Sequence, residues 1–145
     1  MQKNKEAEVL NSIYRGAKTG SQAISALLPK AENSRFRSDL QTQEQEYNTI
    51  SNEAANMLIK MGAEPEPVSA VKKMGMKMGV EMNTMINNDT GYLANLMIKG
   101  STMGITNMTK VLNNYKDPDP QITDLASRLI KAEQQNIDRL KAYLH

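Results

Sequence analysis

Apolar positions recur at alternating spacings of three and four along most of this chain, and polar or proline-rich stretches interrupt them at regular distances. Leu10, Ile13, Ala17, Gly20 or Ser21, Ile24 and Leu27 form one such stripe, which is the one-face signature of an amphipathic helix, here from about Lys3 to Leu28. Pro29 ends it, because the residue before a proline is pushed out of the helical region. After Lys30-Ala-Glu-Asn-Ser34, in which Asn33 or Ser34 can cap the next helix, a second stripe runs Phe36, Leu40, Gln43, Tyr47, Ile50, Ala54, Met57 and Met61. It predicts a helix to about Gly62, closed by the breaker Ala63-Glu-Pro-Glu-Pro67.

From Val68 to Ile86 the chain is rich in Lys and Met, and Gly75 and Gly79 each weaken helix formation by about 1 kcal/mol relative to Ala. A short helix is expected there. Asn87-Asn-Asp-Thr-Gly91 then supplies capping residues for a helix from about Thr90 to Tyr115, with Leu93, Leu96 or Met97, Gly100, Met103 or Gly104, Asn107, Val111 and Asn114 on its stripe. Residues 68–115 also read as one long kinked helix. Lys116-Asp-Pro-Asp-Pro120 is a second breaker, and Ile122, Leu125, Leu129, Glu133, Asn136, Leu140 and Tyr143 mark a last helix from about Gln121 to Leu144. No sustained alternation of β-branched residues competes. Short links make helical neighbours antiparallel, whereas the connection between Gly62 and Asp89 is long enough to travel back along a bundle. The expectation is all-α: two helical hairpins joined by a long crossover that carries an extra Met-rich helix, in one domain spanning residues 1–145.

Charge adds little direction, since 18 Lys and Arg face 16 Asp and Glu with the signs interspersed, which argues against a nucleic-acid partner. With no Cys there are no disulfides or thiolate sites. The charged N-terminus lacks a secretory pattern, no segment reaches the roughly 20 apolar residues of a membrane span, and a cytoplasmic protein is expected. Eleven Met against six aromatic residues suit a bundle whose packing adapts, not an aromatic-lined pocket.

The chemistry of interest lies in the polar middle of two stripes. Glu44-Gln-Glu-Tyr47 and Glu133-Gln-Gln-Asn136 stand where a carboxylate-bridged di-iron bundle carries Glu-x-x-His twice, a spacing that lets two side chains on one helical face clasp one ion. Both histidines are missing, and the one His is the terminal His145. The other two helices carry glycines four apart, Gly16 with Gly20 and Gly100 with Gly104, where each would owe a Glu. Such pairs strip a helical face and favour close approach of a neighbour, so the glycine faces are expected to meet and close the centre. Gln43, Tyr47, Glu133 and Asn136 are then expected to form a satisfied buried hydrogen-bond cluster. The alternatives are a surviving metal site on Glu44 and Glu133, and a small apolar cavity over the glycines.

Met74, Met78, Met82 and Met85 line one helical face. They suit packing on the bundle or on a second subunit, an adaptable surface for a protein partner or a membrane surface, or soft-ligand binding of Cu(I). Other enzyme templates are absent: no nucleotide-binding glycine loop follows a strand, and no Ser-His or Cys-His pair exists.

Leu10-Asn-Ser-Ile-Tyr-Arg-Gly-Ala-Lys18, Leu40-Gln-Thr-Gln-Glu-Gln-Glu-Tyr47 and Asp124-Leu-Ala-Ser-Arg-Leu-Ile-Lys-Ala-Glu-Gln-Gln-Asn-Ile137 give the chain its resemblance to the ferritin-like helical bundles of uncharacterised bacterial proteins, including those related to spore-coat bundles. The last helix is also similar to that of small secreted or periplasmic bundles linked to metal handling, whose hallmark is Met-Ile-Pro-His-His; here Met97-Ile-Lys-Gly-Ser101 lacks both histidines. The resemblance implies a ferritin-like fold and a spore association as an alternative location. Combined with the missing ligands, the expectation is a non-catalytic structural or protein-interaction module without cofactor, prone to self-association, with a divergent iron or copper protein as the alternative.

Overall fold

In the computed structural model, which describes residues 2–66 and 89–145, four helices carry the chain: α1 (Gln2–Leu27), α2 (Ser34–Lys60), α3 (Thr90–Asn113) and α4 (Pro120–Leu140). Single 3₁₀ turns extend α1 over Leu28–Lys30 and α4 over Lys141–Tyr143. The predicted crossover helix, with Met74, Met78, Met82 and Met85, lies outside the described residues.

Local chemistry sets the helix ends. Asn33 caps α2 by accepting from the Phe36 N–H, Asp89 caps α3 by accepting from Tyr92 N–H, and Asp119 caps α4 by accepting from Gln121 N–H, with Pro120 in the first turn, where its missing donor costs nothing. At the end of α2, Gly62 takes φ +80°, and the Gly62 and Ala63 N–H groups bond back to Ile59 and Leu58 carbonyls at 3.0 and 2.9 Å. This left-handed closure suits glycine because a Cβ there crowds the following carbonyl.

The helices form a four-helix bundle. α1 lies along α2 and α3 along α4; between the pairs α1 meets α3, α2 meets α4, and α1 touches α4 across the centre. Ser25 bonds Glu44, Ser21 bonds Asn48, and Asn11 accepts from the Glu66 N–H, so residue numbers rise on one partner as they fall on the other and α1 and α2 run in opposite directions. Phe36 meets Tyr143 edge-on at 5.1 Å between ring centroids, and the Tyr143 hydroxyl donates to Asp39 at 2.6 Å, tying the end of α4 to the start of α2.

The core is mostly aliphatic: Leu10, Ile13, Ile24, Leu27, Leu40, Ile50, Leu58, Leu93 and Leu140 are all essentially inaccessible, as is Phe36. The seam of α4 lies at the predicted positions up to Leu140, with Tyr143 only half-buried. On α2 the buried line ends on Leu58, with Met57 and Met61 at its edge, because spacings of three and four drift around a helix of 3.6 residues per turn. On α3 the phase differs from the expected one. Leu93, Ala94, Met97, Ser101 and Met108 face inward, while Met103, Asn107 and Asn114 are exposed.

Replacing Gly62 by Ala adds a side chain with nothing near it but forces an L-residue into the left-handed region. Chemical denaturation is expected to show a loss of about 1 kcal/mol with helical content unchanged.

Candidate functional site

The polar middle assembles from α2 and α4. Tyr47 sits at the midpoint of α2 and Glu133 in the second half of α4, on mostly apolar seams that also carry Gln43 and Asn136, and both are buried. The Tyr47 hydroxyl donates to Glu133 Oε1. One turn further along α4, Asn136 reaches the same hydroxyl through Nδ2 at 3.4 Å. Ser101 of α3 is buried beside the pair, and its hydroxyl makes no hydrogen bond of normal geometry.

Two glycines make room for these groups. A Cβ on Gly20 would fall 2.6 Å from the Tyr47 ring, and one on Gly104 would overlap Glu133 Oε2. Gly16 serves a different contact, with Leu129 of α4 at 3.4 Å from its ideal Cβ position, and Gly100 faces open space. The expectation that the glycine faces of α1 and α3 press together is therefore corrected: Gly20 and Gly104 each receive a side chain from another helix. Between α1 and α3 a cleft of about 530 Å³ remains, lined by both glycine pairs, Met97, Met103, Met108, Val111 and Leu129, with Tyr47, Ser101 and Glu133 among the lining.

The expected four-membered cluster is also smaller. Gln43 is fully buried, yet neither of its amide atoms has a partner among the described residues, and Asn136 Oδ1 is likewise unpartnered. Gln43 lies one turn before Tyr47 on the same face of α2 but does not bond to it. Unpaired buried amide atoms of this kind each cost about 1–3 kcal/mol. Glu44 points elsewhere: it is half-buried and accepts from Ser25 of α1 at 2.6 Å. Sequence reasoning passed over Ser101, since a single Ser in a Gly, Ser and Thr run carries no hydrophobic signal.

Burial dominates the electrostatics. It pushes the Glu133 carboxyl up from 4.5 to about 7, an effect that the bond from Tyr47 and the nearby Ser101 hydroxyl only partly offset. Tyr47 is held well above its ordinary value by burial first, then by the charge of Glu133 and the bond donated to it. The hydroxyl therefore stays protonated, and Glu133 exchanges its proton near neutrality.

Among the described residues no three His, Cys, Asp or Glu side chains gather where they could hold a metal ion. The donors at the centre are one carboxylate already engaged by a phenol, one carboxamide and a serine hydroxyl, and this set does not fit a carboxylate-bridged metal pair, which takes several carboxylates and imidazoles. No helix among the described residues is long and apolar enough to cross a membrane. Compared with protein-family models, curated proteins and solved structures, the chain matches none.

The contrast among the glycines is testable in one set of variants. Gly100→Ala is expected to raise stability by about 0.5–1 kcal/mol through helix propensity alone, whereas Gly20→Ala should lower it because the Tyr47 ring must move; thermal or urea unfolding of both decides. The raised Glu133 carboxyl sets a pH dependence of definite sign. Between pH 4.5 and about 7 the folded chain keeps a proton that the unfolded chain has lost, so this group's contribution to stability falls as pH rises, by on the order of 3 kcal/mol across the window. The difference in unfolding free energy between the parent chain and Glu133→Gln, measured from pH 4.5 to 8, should follow that slope and level off above about 7.

Proposed function

We propose that this chain is a non-catalytic bundle of ferritin-like class, a structural or interaction module in which a phenol–carboxyl hydrogen bond stands in place of a metal pair. The observation that carries the reading is the buried bond from Tyr47 to Glu133, which commits the most central ionisable groups to each other. The ferritin-like assignment is supported by the order of neighbours, with α1 beside α2 and α3, and α4 beside α3 and α2, as two hairpins with a long connection would produce. The non-catalytic assignment is supported by the state of the two groups. Tyr47 is far too reluctant to ionise to act as a base at neutral pH, and Oε1 of Glu133 is already engaged.

Metal analysis of protein purified without chelator tests this. Substoichiometric iron, manganese and copper are expected in the parent chain and unchanged in Glu133→Ala and Glu44→Ala. Stoichiometric metal that either substitution removes would establish the divergent metalloprotein instead.

A further inference from the structure

The cleft between α1 and α3 joins apolar side chains to buried polar ones. Its α3 and α4 side is largely apolar, from Met97, Met103, Met108 and Leu129, and its α1 side carries small and polar residues such as Ser12 and Thr19; Glu133, whose Oε2 lies over Gly104, and Ser101 are its buried polar groups. Ser101 is 2% exposed and its hydroxyl has no partner of normal geometry. The charged and titratable groups lining the cleft are Glu133 from α4, Tyr47 from α2 and Arg15 from α1; α3 contributes none. Tyr47 already donates to Oε1, and Arg15 is ion-paired with Glu66. No cationic group of the described residues pairs with Glu133, whose second oxygen is seated over the backbone of Gly104.

We propose that this cleft binds a small apolar amine, its hydrocarbon part against the methionine walls and its ammonium group donating to Glu133 Oε2 and Ser101 Oγ. The assignment goes beyond the structural role proposed above and rests on charge complementarity and on a buried serine hydroxyl that makes no hydrogen bond of normal geometry. The cleft volume of about 530 Å³ lies within the range of small-molecule sites, roughly 300–1,000 Å³. Methionine walls adapt to different hydrocarbon shapes, so the head group supplies the selectivity. A carboxylate head would meet Glu133 as a like charge, and an alcohol could donate to the carboxylate but would bring no positive charge to it.

The full chain is titrated with n-hexylamine, n-hexanol and hexanoate by NMR at a pH above the Glu133 transition, so that tail size is constant and only the head changes. The amine is expected to bind saturably and about tenfold or more tighter than the alcohol, with hexanoate weakest. Glu133→Gln should remove the preference for amine over alcohol, and Ser101→Ala should weaken amine binding severalfold. Gly100→Leu, which fills the cleft from a position with open space around its Cβ, should abolish binding of all three and still fold. Three results overturn the proposal: no saturable amine binding to the parent chain, equal affinity for amine and alcohol, or unchanged amine binding in folded Gly100→Leu.

Discussion

A phenol hydroxyl bonded to a carboxyl in the middle of an aliphatic bundle sets the terms for the surrounding structure. Neither Tyr47 nor Glu133 could be buried at this depth alone, since an isolated carboxylate in a low-dielectric core is costly and an unpaired hydroxyl is left orphaned. Paired, they link α2 to α4, and their size dictates what the other two helices carry at the same level. Gly20 on α1 and Gly104 on α3 are absent side chains in a literal sense: each yields the volume that a Tyr or Glu from another helix fills. One hydrogen bond thus accounts for residue choices on all four helices.

The same arrangement explains why the bundle is not filled throughout. Gly16 and Gly100 are helical neighbours of the two working glycines, but neither is matched by a large partner side chain. Gly16 receives only an ordinary contact from Leu129, and Gly100 faces a gap. With small residues on both sides and methionines as walls, α1 and α3 enclose a cleft where a close-packed core would bring them into contact. Packing of the central pair and opening of the cleft therefore follow from one distribution of glycines.

Much of the architecture was legible in the residues. The stripes on α1, α2 and α4 are built from Leu, Ile and Phe at helical spacing, and the caps at Asn33, Asp89 and Asp119 use side-chain chemistry that is local by nature. The phase of α3 was harder to read. Between Ile98 and Met108 its only large apolar residues are Met103 and Ile105, neither of them on the buried line, and the inward positions there are Ser101 and Gly104. No periodicity of hydrophobic residues marks such a face. The inward orientation of Tyr47, Glu133 and Asn136 was readable from their places on apolar seams, but their bonding was not. Whether Gln43 joins the group, and whether two bare faces touch or part, depends on a few ångströms of helix separation that spacing along a chain does not encode.

The segment leaving α2 is held against α1. The Glu66 N–H donates to Asn11 Oδ1 at 2.8 Å, and the Glu66 carboxylate pairs with Arg15, so Glu66 is anchored to α1. Helix termini ordinarily fray independently of the body to which they belong. Here, unravelling the last turn of α2 also has to release a contact made more than fifty residues earlier, so opening at this end is cooperative with separation of the hairpin. Amide protons near Leu58 and Ile59 should then exchange with solvent on the timescale of the hairpin, not on that of a loose helix end.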